Sequence, residues 1–367
     1  MKRKVPKLVV ATGISGCGRK EYLQPWIEYA EKRGKKIKVY YVGEMMFEHA
    51  CKIGFPLNDK NILNADRDVL DLLRSAVFNR ILSEVSSASG NYDIFLLCIH
   101  AFFYWKNHYI GALDKYLQEF SPDMYLTFID SHPTILERLN GREQWREENL
   151  NPEKILEWQG VEVETTSLFA NISGSPFFVV PTSQKPSLLY RLIFHPEIET
   201  VYSAMPISHL TDASERQVID QFIDRLDRYF VVFNPLSIEV VGSIDISKNK
   251  ITEEENVAIY HHVVYRDLDW FVRRADKIVV FWPERKIPEK IKGDKELASL
   301  WPRSISSPGA SCETHEAFIK TKDVWTISLG REVSPFITHL STKIFNSIKE
   351  FFDFLEKQYP ERQDKTW

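Results

Sequence analysis

Short apolar runs alternate with amphipathic stretches along the whole chain, and this alternation predicts strand and helix in turn. The candidate strands of a first series are 7–11, 36–42, 94–99, 124–129 and 177–180, with helical periodicity between them. A second series follows at 200–204, 231–233, 277–281 and 324–328. Strands separated by helices imply α/β layers built on parallel sheets. Between the two series lies "PTSQKPSLLYRLIFHPEIE", with Pro181, Pro186 and Pro196, which places a boundary near residue 190. The expected organisation is a domain over 1–185, a linker over 186–197 and a second domain over 198–367. No internal repeat and no low-complexity segment interrupts the pattern.

Composition narrows the class. With 367 residues, 44% of them hydrophobic, the chain can bury two cores. Its 47 basic residues are matched by 51 acidic ones, which gives no support for nucleic acid as a partner. Cys17, Cys51, Cys98 and Cys312 stand far apart without a CxxC pair, so neither zinc nor a disulfide framework is expected, and a reducing, cytoplasmic setting is. The apolar run 8–12 behind the basic Met1–Lys7 is too short for a signal core, and no stretch approaches the roughly 20 apolar residues of a membrane span. No membrane partner is therefore expected.

"VVATGISGCGRKEY", residues 9–22, carries the first candidate chemistry. A strand is expected before it and a helix after it, the setting in which a glycine loop wraps phosphate oxygens with backbone N–H groups. Gly13 and Gly18, with Gly16 between them, have the GxxxxGK[ST] spacing, but Arg19 stands in the lysine position and Lys20 in that of the Mg²⁺-ligating hydroxyl. The first change keeps a positive charge, while the second replaces a metal ligand by a cation. A glycine-rich turn without a ligand is the alternative.

The segments that follow, "YVGEMMFEHACKIG", "ADRDVLDLLR", "LLCIHAFFYW" and "PDMYLTFIDSHPTILERL", resemble in order the archaeal type of adenylate kinase over residues 7–182. The resemblance implies a P-loop parallel-sheet domain that binds ATP or another nucleotide. It puts a nucleoside monophosphate pocket at Gly43, Met45, Met46 and Arg67-Asp68, and a short lid with phosphate-clamping Arg142 and Arg146. Core packing of the two methionines and a solvated face for the two arginines stay open. Cys98 stands where the resemblance implies an acidic residue, two positions before His100, so both usual supports for Mg²⁺ are missing. His100 is expected as a strand-end histidine satisfied by backbone. Nucleotide binding is expected ahead of efficient phosphoryl transfer.

In the second half, "TVYSAMPISHL", "VYRDLDWFVRRADKIVVFWP" and "SSPGASCETHEAF" resemble the nucleoside 2-deoxyribosyltransferases and their relatives, the deoxynucleoside monophosphate N-glycosidases, over residues 198–355. The resemblance implies a flavodoxin-like, Rossmann-like domain, a nucleophilic Glu313 spaced from Gly309, and homodimers. Cleaving an N-glycosidic bond passes through an oxocarbenium-like state, so one carboxylate can capture C1′ while a second acid serves the leaving base. Glu313, expected in the first turn of a helix, fits the first role; a helix-capping acid is the alternative. Asp267 is chosen for the second, but the count from it to Ala275-Asp276 is one residue longer than the resemblance implies, which keeps Asp269 open. Asp276 itself reads as structural. Tyr202, Ser203, Ala204 and Pro206 are expected to line the nucleoside pocket, although Met205 occupies the place of a glycine, and Ser307 with Gly309 is expected to meet a 5′-phosphate. His315 and Glu316 have no further ligand spacing, so no metal site is assigned.

The expected function is therefore N-glycosidic cleavage or transfer on a nucleoside or nucleotide, hydrolase or transferase, in an enzyme whose first domain holds a nucleotide. A nucleoside monophosphate kinase using ATP and a non-catalytic nucleotide-binding regulator are the alternatives.

Overall fold

The computed structural model describes residues 7–58, 60–87, 90–106, 108–111, 116–146, 148–206, 213–235, 253–283, 287, 289–296, 307–329 and 333–362. The basic residues 1–6, Ser306 and the turn 207–210 lie outside them. Two compact units divide the chain, the first taking residues 1–195 with 242–260 and the second 196–241 with 261–367.

The first unit is built on a five-stranded sheet of β1 (Leu8–Thr12), β2 (Ile37–Tyr41), β3 (Ile94–Cys98), β6 (Met124–Ile129) and β7 (Phe177–Pro181). Its order is β2-β3-β1-β6-β7 and every pairing is parallel. β1, β3, β6 and β7 are buried at every position, as parallel strands covered by helices on both faces must be. A hairpin that the alternation did not foresee, β4 (Phe102–Trp105) against β5 (His108–Gly111), follows β3. The helices are α1 (Arg19–Glu31), α2 (Val42–Lys52), α3 (Arg67–Ser87), α4 (Tyr116–Phe120), α5 (His132–Asn140), α6 (Pro152–Ser173) and α7 (Pro186–Phe194). Local signals set α6: Asn151 accepts from Lys154 N at 2.9 Å, Pro152 opens the first turn, and Gly174 ends the helix at φ +66°.

Most of the stretch expected as a linker is α7, in which every residue from Ser187 to Phe194 is buried. Pro186 starts this helix instead of breaking the chain. The helix packs on α1, with Trp26 stacked on Phe194 at 6.5 Å and Tyr29 edge-on to Tyr190 at 5.5 Å.

In the second unit the strands are β8 (Thr200–Ala204), β9 (Val231–Phe233), β10 (Lys277–Trp282), β11 (Asp323–Ser328) and the unforeseen β12 (Lys343–Phe345). They pair in parallel in the order β12-β11-β10-β8-β9. In chain order this is the doubly wound, flavodoxin-like arrangement, in which ligands bind beyond the carboxyl ends of the strands where the order reverses. Its helices are α8 (Ala213–Leu226), the end of α9 (Glu253–Tyr265, whose residues to 260 are counted with the first unit), α10 (Glu289–Lys292), α11 (Pro308–Ile319), α12 (Pro335–Leu340) and α13 (Ile348–Gln358). α9 runs directly into a π-helical segment, Arg266–Val272.

One face of the second sheet carries the main apolar cluster, in which Val201, Met205, Val279 and Phe281 meet Phe222, Phe351 and Phe352. Phe222 stacks on Phe281 at 4.7 Å. Tyr202 leaves from the opposite face, because successive strand side chains alternate, and its ring stacks on Phe271 of the π-helical segment at 6.3 Å.

Candidate functional site

In the first unit a cavity of about 360 Å³ opens at the carboxyl ends of β1 and β3. The glycine loop forms one wall. Gly13, Gly16 and Gly18 sit at φ +150°, +81° and +78°, a region that side chains disfavour, so the glycines are required by the backbone path. A Cβ on Gly18 would also lie 2.7 Å from Arg138 Nη1. That nitrogen donates to Gly16 O at 2.8 Å and pairs with Asp130 Oδ2 at 2.7 Å, so Arg138 braces the loop from α5.

Gly13 faces away from the cavity and donates its N–H to Glu162 Oε1 at 2.8 Å. Glu162, fully buried on α6, also accepts from Ala101 N on Oε1 and from Phe102 N on Oε2, each at 2.8 Å. One carboxylate thus joins the phosphate loop to the chain leaving β3. Burial pushes its pKa up to about 7, although the three N–H donors and the Arg19 charge oppose the rise.

Arg19 lines the cavity, and its Nη1 donates to Ala11 O at 2.8 Å and Ile99 O at 2.5 Å, bridging the ends of β1 and β3. Lys20 also lines it, with Nζ 2.6 Å from Glu44 Oε1. Gly43 and Met46 reach the wall, whereas Met45 does not. Arg67 and Asp68 stand exposed at the start of α3, and the cation that α3 supplies is Arg74, two turns further along. Arg142 reaches the cavity, while Arg146 does not and donates to Asn140 O at 3.4 Å.

Cys98 is buried, and burial pushes its thiol up to about 11, so it stays protonated at neutral pH. His100 is not fully satisfied by backbone, since its Nδ1 is buried without a hydrogen-bond partner. Burial first, then the charges of Arg19 and Arg142, lower its pKa to about 3, so it stays neutral.

In the second unit β8, the π-helical segment and α11 converge. Tyr202 Oη donates to Glu313 Oε1 at 2.8 Å. Burial raises the phenol well above its ordinary pKa, and the charges of Asp267 and Glu313 push the same way, so Tyr202 stays protonated and serves as the donor to Glu313. Asp267 is itself buried and pairs with Arg266 Nε at 2.9 Å. Burial raises its pKa, against the pull of Arg266.

Asp269 is turned elsewhere and pairs with Arg273, which also pairs with Glu316. Both acids lie in the π-helical segment Arg266–Val272.

Glu313 is the sixth residue of α11 and lies beyond its first turn, which holds no acid. Its carboxylate meets the hydroxyl of Tyr202, not the free N–H groups of the first turn. Ser203, between Val201 and Met205, faces the apolar cluster, away from Tyr202, and its buried Oγ has no hydrogen-bond partner among the described residues. Ala204 and Pro206 are buried at the end of β8. Ser307 caps α11 by accepting from Ala310 N at 3.2 Å, and Gly309 is exposed in that first turn. Asp276 accepts from Thr200 N and Oγ1 at 2.7 and 2.8 Å, a structural tie.

The arrangement defines two α/β units with parallel sheets, the first a P-loop kinase-like domain. Residues 12–156 match the family described as AAA domain, which covers less than half of the chain. Among solved structures, the chain is similar to a 2-deoxyribosyltransferase from the psychrotolerant bacterium Bacillus psychrosaccharolyticus, with 16% identity, 42% of this chain and 95% of that one covered, and a TM-score of 0.27. It is also similar to the CMP N-glycosidase of Clostridium botulinum, with 13% identity, 44% and 99% covered, and a TM-score of 0.24. Among the described residues no group of three or more His, Cys, Asp or Glu is placed to hold a metal ion, and no helix is long and apolar enough to cross a membrane.

Proposed function

We propose that this is a nucleotide-metabolism enzyme whose second unit cleaves or transfers an N-glycosidic bond through Glu313, and whose first unit holds a nucleotide. The observation that carries the reading is the hydrogen bond from Tyr202 to Glu313, in a unit that also buries the carboxyl of Asp267. Two carboxyl groups in different environments can divide nucleophile and acid between them. Glu313 attacks C1′ as the bond to the base nitrogen breaks, and the electron pair leaves with the base. Asp267, whose proton burial helps to retain, protonates that nitrogen. Water or a second base then displaces the carboxylate, and Asp267 takes the released proton back.

For the first unit, the loop geometry and the cations around the cavity support nucleotide binding. Phosphoryl transfer, as in a monophosphate kinase, has weaker support because Lys20 replaces the hydroxyl and Cys98 the acid.

The test is a panel of deoxynucleosides and their 5′-monophosphates, assayed for free base by chromatography. Base release by the wild type that disappears in Glu313→Ala is the expected result. Equal release by the variant removes Glu313 from the mechanism, and release from no member of the panel leaves the non-catalytic, nucleotide-binding reading in its place.

A further inference from the structure

A P-loop kinase-like fold implies Mg²⁺ beside the nucleotide phosphates, and the residues present do not fit one. Protein ligands for Mg²⁺ at such sites are a hydroxyl after the loop's basic residue and a carboxylate. At the hydroxyl position stands Lys20, an ammonium. At the expected acid stands Cys98, buried and protonated.

The neighbouring carboxylates are already engaged. Glu44 is paired with Lys20 at 2.6 Å. Asp130 is held by Arg138 at 2.7 Å and by Ser131 N at 2.7 Å. Glu162 accepts three backbone N–H groups. Of the carboxylates on the cavity wall, only Glu21 on the exposed first turn of α1 is left.

Cations line the same wall in excess. Arg19, Lys20, Arg74, Arg138 and Arg142 face it, against Glu21 and Glu44. Such a field disfavours a divalent cation and favours an uncomplexed polyanion, and guanidinium groups can pair with phosphate oxygens two at a time.

From this disagreement we propose that the cavity takes its nucleotide as the free anion, with arginine and lysine supplying the charge that Mg²⁺ would otherwise supply. The inference rests on the nucleotide-binding reading of the first unit and specifies the form of the ligand. It also gives that unit a role as a holder or sensor of nucleotide, since in-line transfer would lack its metal.

The experiment is calorimetric titration of the full chain with ATP, ADP and AMP, once in EDTA and once in excess Mg²⁺, with Lys20→Thr run in parallel. In EDTA at least one nucleotide is expected to bind as tightly as in Mg²⁺, within about twofold, or more tightly. Lys20→Thr, at an exposed position, is expected to lose about tenfold in EDTA and to regain part of it with Mg²⁺. Wild-type affinity that falls about tenfold or more in EDTA overturns the metal-free form while leaving nucleotide binding in place. No binding of any of the three in either buffer overturns the nucleotide reading, and this inference with it.

Discussion

Tyr202 Oη and Glu313 Oε1 lie 2.8 Å apart, joining the middle of a central strand to the second turn of a helix 111 residues later. The bond orients the carboxylate that we propose as the nucleophile. Tyr202→Phe keeps the ring that stacks on Phe271 and removes only the donor. Base release is expected to fall by about tenfold to a hundredfold. The folded state should lose about 1–3 kcal/mol in denaturant unfolding, because the buried tyrosine hydroxyl and a part-buried carboxylate lose their bond.

The two candidate acids separate by their neighbours. Asp267 sits in a buried pair with Arg266, whereas Asp269 belongs to the Arg273–Glu316 cluster. Asp267→Asn is expected to lower base release by about a hundredfold or more, since the proton donor is gone. Asp269→Asn should stay within about threefold, as expected for one member of a part-exposed ion pair. Side-by-side turnover measurements of the two variants decide the assignment.

On α3 the same comparison separates Arg74 from Arg67. Arg74 lines the cavity with only 12% of its side chain exposed, while Arg67 stands in solvent. Arg74→Ala is expected to weaken nucleotide binding by about tenfold, close to 1.4 kcal/mol, and Arg67→Ala to leave it unchanged. Titration of both variants with the nucleotide that binds the wild type best is the measurement.

Glu162 makes a prediction about pH. Its carboxyl ionises near 4.5 in the unfolded chain and near 7 in the folded one. Between those values the unfolded chain binds fewer protons than the folded chain, so stability from this group is full below 4.5 and is lost as pH rises through 7. The loss amounts to ~3 kcal/mol from the size of the shift. Glu162→Gln cannot ionise, so the stability difference between wild type and variant is expected to shrink by about that amount across this window. Parallel unfolding curves for the two proteins at every pH would remove Glu162 as a titrating group.

Much of the architecture was legible in the chain because it is set by local periodicity. Nine strands follow from apolar runs, and the parallel sheets follow from the helices between them. The hairpin Phe102–Gly111 was not legible, since its two short strands are stabilised by pairing with each other and carry little burial contrast. Nor was α7, because Pro186 with Pro181 and Pro196 on either side reads as a break, whereas the helix is buried from Ser187 to Phe194 and packs on α1.

What the sequence by itself determined are the features that a few neighbouring residues enforce. The glycines at 13, 16 and 18 are needed by positive φ angles, and the Ser307-Pro308 start of α11 sets where Glu313 falls. The tertiary structure alone decided which charges converge. Arg74 lines the cavity and Arg67 does not, because it stands two turns further along the same face of α3, and Arg138 reaches the loop through the space that Gly18 leaves open. Glu162 meets Gly13 from 149 residues away, and Asp267 pairs with Arg266 while Asp269, two residues on, pairs with Arg273. The reason is physical: local pattern encodes burial and backbone angles, while a site is a coincidence of side chains that only the packed sheets and helices bring within reach.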